Sequence, residues 1–105
     1  YTTLFRSNKY KPEIIKIGAV DKTNVSLSWK KETYKIADQD INYKFEIFKS
    51  IGSQELALYK ELSPAEFGMT DMEVKTGVLH NYAVRVKYDN GWTSALSEVK
   101  SIIIK

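Results

Sequence analysis

The chain has 105 residues, which is room for one domain of ordinary size. With 43% hydrophobic residues and a net charge of +3, it is composed like a globular domain and lacks the concentrated basic charge of a nucleic-acid-binding protein. The absence of cysteine excludes thiol nucleophiles, cysteine zinc sites and disulfides, and no apolar stretch reaches the roughly 20 residues of a membrane span. Because the chain begins at Tyr1 rather than at methionine, we expect a processed product or a piece of a longer protein.

Short segments of alternating polar and apolar residues recur along the chain and are separated by turn residues. Residues 1–11 show no hydrophobic period, and we interpret them as a linker or approach segment before a domain of residues 12–105. The later segments predict seven strands, at residues 13–17, 25–29, 41–49, 55–61, 72–76, 82–88 and 97–105. Residues 89–91, Asp-Asn-Gly, predict a tight turn before the last strand. This rhythm, without a long helical segment, predicts an all-β sandwich or barrel.

The order and spacing of these segments resemble a fibronectin type III domain. Residues 25–29 (VSLSW) resemble the second strand of that family, which ends in a core tryptophan, and residues 43–47 (YKFEI) resemble its third strand. Residues 82–86 (YAVRV) resemble its sixth strand, and residues 91–97 (GWTSALS) resemble the approach to its last strand in bacterial members. The resemblance covers residues 12–105 and implies an immunoglobulin-like, seven-stranded antiparallel β-sandwich. Strands one, two and five would form one sheet, and strands three, four, six and seven the other.

The resemblance also gives structural roles to three aromatic residues, Trp29, Tyr43 and Tyr82. Tyr82 sits where the family has its tyrosine corner, which implies a hydrogen bond from its hydroxyl to backbone a few residues upstream. Alternation predicts that Met72 and Val74 point inward from the fifth strand. The predicted core consists of Ile15, Ile17, Leu27, Trp29, Tyr43, Phe45, Val74, Tyr82, Val84, Val86 and Ile102.

The residue types needed for catalysis do not converge in this sequence. His80, the only histidine, lies in a turn-like stretch without a nucleophile elbow, and we expect an exposed corner residue. Asp71 and Glu73 could form a carboxylate pair on one short strand, but the pattern implies no cleft around them. Residues 38–42 match the first half of a calcium loop, yet Tyr43 stands where that loop needs glycine. We therefore predict a non-enzymatic chain without cofactor or metal.

Two surfaces are candidates for binding. The outward residues of the third and sixth strands form a basic face with one aromatic ring, and Trp92 follows a loop tip where aromatic rings can bind sugars or partner pockets. The alternatives without a binding role are an ordinary solvated face and a tryptophan that packs over the sheet edge. The candidate binding residues are Trp92, Tyr88, Arg85, Lys87, Lys44 and Phe48.

The resemblance implies a spacer or interaction module of a larger protein, of bacterial type and located outside the cell or on its surface. The alternative is an accessory module that binds carbohydrate or protein through Trp92 and the basic face. The expected partners are neighbouring domains of the same polypeptide, and carbohydrate or protein in the alternative, with no nucleic acid. As an isolated domain, the chain is expected to be a monomer.

Overall fold

A computed structural model describes residues 10–36 and 40–105 of the chain. Most of the expected linker (residues 1–11) and part of the calcium half-loop (residues 38 and 39) therefore fall outside the described residues. The strands are β1 (Ile14–Ala19), β2 (Val25–Trp29), β3 (Tyr43–Ile51), β4 (Ala57–Leu62), β5 (Gly68–Asp71), β6 (Leu79–Tyr88) and β7 (Lys100–Ile103). In the described ranges, no helix has the length and apolar character needed to cross a membrane.

The strands form two antiparallel sheets, with the order β1-β2-β5 in one and β4-β3-β6-β7 in the other. This confirms the predicted all-β, immunoglobulin-like sandwich and its division of strands between sheets. Ile14 opens β1 beside Trp29, at one end of the sandwich that we call the start pole. Ile103 closes β7 beside Leu79, at the opposite end, the end pole. The first strand therefore begins and the last strand ends at opposite poles.

The core follows from the alternation of side chains along the strands. Val25, Leu27 and Trp29 of β2 are each at most 1% exposed, while the serines between them face outward. The Trp29 ring meets the edge of Phe45 on β3, with 5.3 Å between ring centroids, which joins the two sheets. The core cluster consists of Ile14, Val25, Leu27, Trp29, Tyr34, Phe45, Ile47, Val74, Tyr82, Val84, Val86, Tyr88 and Ile104.

The prediction for the first strand is wrong by one residue. Ile15 is 59% exposed, whereas Ile14 lies in the core. The register against β2 shifts between Ile14 and Lys16, so Ile15 is an extra residue without a cross-strand partner. Such a bulge turns its side chain away from the face that strict alternation assigns to it.

The fifth strand also differs from its prediction, because β5 ends at Asp71 rather than beginning at Met72. Met72 is 73% exposed, and Val74 is buried in the segment that follows the strand. Gly68 allows this early pairing, since a Cβ atom there would lie only 2.9 Å from the carbonyl oxygen of Leu27. The start of the strand thus depends on a close backbone approach at Gly68.

Two further expectations for the core and the last strand need correction. Ile17, Tyr43 and Ile102 are only half-buried and pack against the core cluster. The last strand is shorter than residues 97–105, because residues 93–97 run beside β6 by another pattern. Ser94 and Ser97 each donate a backbone N–H to a carbonyl of β6 and accept an amide of β6 with the side-chain hydroxyl. Two serine hydroxyls thus replace part of the expected strand ladder.

Candidate functional site

The described part of the chain has one buried carboxylate with four hydrogen-bonding partners, at the seam where the β4 edge faces the β5 edge. Asp71, at the end of β5, has a fully buried side chain. Lys49 of β3 reaches it across the sandwich, with 2.6 Å between Nζ and Oδ2. Tyr82 of β6 donates its hydroxyl to the same oxygen at 2.6 Å. We call Asp71, Lys49, Tyr59 and Tyr82 the seam cluster.

The remaining oxygen of Asp71 is also occupied. Tyr59 of β4 donates its hydroxyl to Oδ1 at 2.9 Å, and the amide of Glu73 donates to it at 2.8 Å. Tyr59 is an extra residue in the β3–β4 ladder, and a bulge of this kind redirects a side chain. The Lys49 ammonium donates to the carbonyl of Glu73 at 2.9 Å and lies 4.9 Å from the centre of the Tyr59 ring.

The seam cluster keeps its carboxylate charged. Burial alone would raise the pKa of Asp71, but the hydrogen bonds from Lys49, Tyr82, the Glu73 amide and Tyr59 outweigh burial and lower it. Burial, followed by the hydrogen bond to Asp71, raises the pKa of Tyr82 and of Tyr59 above the usual tyrosine value. An ionised, fully bonded carboxylate has no position left for a substrate or a metal. Because Asp71 belongs to one sheet and its three side-chain partners belong to the other, the cluster links the two sheets.

The seam cluster corrects the expectation for Tyr82. Its ring is buried at the predicted corner, but the hydroxyl bonds to the side chain of Asp71 and not to upstream backbone. The backbone-bonded tyrosines are others, because Tyr88 donates its hydroxyl to the Tyr34 carbonyl and Tyr34 donates to the Lys30 carbonyl, each at 2.6 Å.

The expectation for His80 is wrong as well, because its side chain is fully buried. It lies two residues before Tyr82 on β6 and so shares the inward face of that strand. Its Nε2 accepts the Lys75 amide at 3.2 Å, and Nδ1 has no partner among the described residues. Extending the alternation of residues 82–88 backwards along the strand would have placed this ring inside.

The predicted basic face exists, but its central charge is neutralised. Lys44, Phe48, Arg85 and Lys87 share the outer face of β3 and β6. Arg85 donates to the carboxylate of Glu46 at 2.7 Å, and its guanidinium lies 4.9 Å from the Phe48 ring centre. Glu46 is 2% exposed, so the carboxylate of this ion pair is shielded from solvent although it lies on the outer face of the sheet.

Two predicted binding aromatics do not form an exposed platform. Tyr88 is 1% exposed, because it lies on the inward face of β6 and its hydroxyl bonds inside the fold. Its proposed contact with a ligand is therefore excluded in this fold. Trp92 follows the predicted turn, where the Gly91 amide donates to the Tyr88 carbonyl, and it is half-buried against the core cluster. On the basic face, the Lys44 ammonium forms an ion pair with the Glu61 carboxylate, with 3.0 Å between Nζ and Oε1.

Comparison with known proteins identifies the fold. No protein-family model matches the sequence. No curated protein matches it either. Among solved structures, it is similar to the fibronectin type III domain of human fibronectin type III domain containing protein 3. That likeness has a TM-score of 0.67 at 16% identity and covers 98% of this chain and 90% of the other.

Two other solved structures extend this comparison. The FN3 domain of human collagen XX matches with a TM-score of 0.67 at 10% identity, covering 97% of each chain. A β-1,2-glucanase from Parabacteroides distasonis matches with a TM-score of 0.69 at 19% identity over 89% of this chain. This chain spans only 12% of the glucanase chain. At these identities the likeness shows a shared fold.

Proposed function

We propose that this chain, which has the fibronectin type III fold, is a non-catalytic spacer and interaction module of a larger protein located outside the cell or on its surface. The observation that carries the proposal is the position of the first and last strands. β1 begins at the start pole and β7 ends at the end pole, so the domain, proposed as residues 12–105, separates its neighbours by the length of the sandwich.

Two features support a spacer of fixed length. The aromatic contact of Trp29 with Phe45 joins the sheets near the start pole, and the seam cluster joins them near the end pole. The likeness to one part of a much longer bacterial glucanase chain supports a role as one module among several. The buried carboxylates of Asp71 and Glu46, and the Nε2 atom of His80, bond to neighbouring parts of the fold, which supports a non-catalytic role.

The spacer role predicts one cooperative unfolding transition that ligands do not shift. Because the chain lacks cysteine, single cysteines can be introduced at Lys22, in the β1–β2 turn, and at Asn90, in the turn after β6. Fluorescent labels at these poles report the separation, while tryptophan fluorescence reports the core. Both signals are expected to change at the same urea concentration. Different midpoints, or a broad transition that shifts with added ligand, would contradict the proposal.

The alternative is a module that binds an anionic carbohydrate or protein through the basic face and Trp92. One observation favours it: Lys87 forms no ion pair within the described residues, whereas its cross-strand neighbour Lys44 is paired with Glu61. The test is a screen of sulfated and carboxylated glycans with the wild type, Lys87→Gln and Trp92→Phe, using Lys60→Gln as a control. Binding weakened by both face variants but not by the control supports this alternative. No binding in the screen excludes an anionic carbohydrate as the ligand.

A further inference from the structure

The two seams of the sandwich differ in how they are closed. At one seam, β4 faces β5, and the seam cluster ties these edges together with short hydrogen bonds. At the other seam, the free edge of β1 faces the free edge of β7, because β1 ends one sheet and β7 ends the other. Both strands run from the start pole towards the end pole.

A groove follows this second seam. It consists of two adjoining depressions of about 340 Å³ and about 350 Å³, which share Ile14 and Lys100 in their walls. We call them together the side groove. Ile15, which lines it, is 59% exposed, and the nearby Val99 is 50% exposed. The apolar side chain of Ile15 is therefore accessible to a molecule that enters the side groove.

The charges of the side groove are unequal along its length. The depression of about 350 Å³ is lined by three isoleucines and two lysines, without an acidic residue: Ile14, Ile15, Lys16, Ile17 and Lys100. The other depression adds Lys11, together with Glu13 and Glu98. Within the described residues, Lys11, Lys16 and Lys100 form no ion pair. The side groove therefore combines an apolar floor with lysines that are available to carboxylates.

The backbone at the side groove favours a partner in extended conformation. β7 has β6 on one side only, so the N–H and C=O groups of its other edge are without a strand partner in the described part of the chain. β1 is less suitable for pairing, because the bulge at Ile15 interrupts its register. An added strand can therefore pair with β7 and place alternate side chains over the floor near β1.

We propose that the side groove binds an extended peptide segment of a partner protein, in which aliphatic and carboxylate side chains alternate. The aliphatic side chains cover the groove floor beside Ile15 and Ile17, and the carboxylates meet Lys16 and Lys100. The segment adds a strand to the free edge of β7. This interaction goes beyond the spacer role, and neither depends on the other.

The proposal can be tested with a blocked nonapeptide of alternating glutamate and valine, titrated into the ¹⁵N-labelled chain and followed by NMR. Amide signals of β1 and β7 are expected to shift, and the amides on the outer edge of β7 are expected to exchange more slowly with solvent. The double variant Lys16→Glu/Lys100→Glu is expected to weaken binding about tenfold, because two attractions become repulsions. Binding is also expected to weaken with added salt.

The control is the double variant Lys22→Glu/Lys60→Glu, which changes the net charge equally but alters exposed lysines outside the side groove. It is expected to bind the peptide like the wild type. Equal weakening by both double variants, equal binding of a lysine–valine peptide, or shifts confined to other strands would overturn the proposal. So would the absence of shifts at millimolar peptide. A concentration-dependent dimer in sedimentation, with the β1 and β7 signals shifted without peptide, would assign the side groove to a second copy instead.

Discussion

Replacing Lys49 by methionine removes the cation of the seam cluster while keeping a side chain of similar length. Asp71 would then remain fully buried and charged, with three hydrogen bonds but without its ion pair. Breaking a buried pair by removing one partner costs about 3–5 kcal/mol of stability. Because three donors remain on Asp71, we expect the lower end, about 3 kcal/mol.

Urea unfolding followed by tryptophan fluorescence measures this loss, since Trp29 is buried in the folded state. The matched control is Lys44→Met, which breaks an ion pair with Glu61 of similar distance, 3.0 Å, whose side chains are 41% and 43% exposed. An exposed pair of this kind contributes about 0–1 kcal/mol. We therefore expect Lys49→Met to lower the urea midpoint clearly more than Lys44→Met.

A double-mutant cycle shows whether the effect belongs to the pair. Asp71→Asn alone leaves the Lys49 ammonium buried without its counter-charge, and we expect a loss similar to that of Lys49→Met. The double variant is expected to lose little more than either single variant, which gives a coupling energy of about 2–3 kcal/mol. Additive losses, or a Lys49→Met variant as stable as Lys44→Met, would refute the assignment of the seam cluster as the link between the sheets.

The other predictions concern pH, packing and the core. The lowered pKa of Asp71 contributes stability above the unfolded carboxyl value of about 4, and this stability is lost as pH falls through the folded value. The raised pKa of Tyr82 predicts a second loss of stability above about pH 10. Both losses can be measured as the urea midpoint at a series of pH values. Gly68→Ala should destabilise the fold by about 1–3 kcal/mol, because the added Cβ atom would crowd the carbonyl oxygen of Leu27. Gly18→Ala should not destabilise it, because no atom lies within 4 Å of the added Cβ atom. Equal melting temperatures of the two variants would contradict this prediction. Tyr88→Phe should cost about 1–3 kcal/mol, since it leaves a buried carbonyl unpaired, and an unchanged midpoint would argue against that bond. Trp29→Ala should cost about 3–5 kcal/mol, and a small change would mean that the ring is not a core residue.

Sequence reasoning succeeded where a strand alternates regularly and each residue type matches its face. Val25, Leu27 and Trp29 illustrate this, and the division of strands between the sheets followed from the family resemblance. It failed where the backbone departs from regular pairing. The bulge at Ile15 and the close approach of Gly68 depend on the partner strand, which a local pattern does not contain.

The candidate site was less predictable than the fold. Lys49 is separated from Asp71 by 22 positions in the sequence, and its residue type suggested an outward side chain although its position in β3 is inward. A buried ion pair breaks the rule that assigns faces by polarity, so no alternation pattern identifies it. The alternation did contain the signal for Tyr88, which shares the inward face of Tyr82, Val84 and Val86.

The placement of β1 and β7 at one side of the sandwich decides how the domain would carry tension between neighbours. A pull along the axis would load each edge strand parallel to its own length, so the ladders β1–β2 and β6–β7 would resist by shear. β7 pairs with β6 over only four positions, although a bond of 2.7 Å from the Gly77 amide to the Ile104 carbonyl extends its hold on the fold. The seam cluster lies at the opposite seam, outside this path. The two edge-strand ladders, and not the buried ion pair, would therefore set the force at which the module begins to yield.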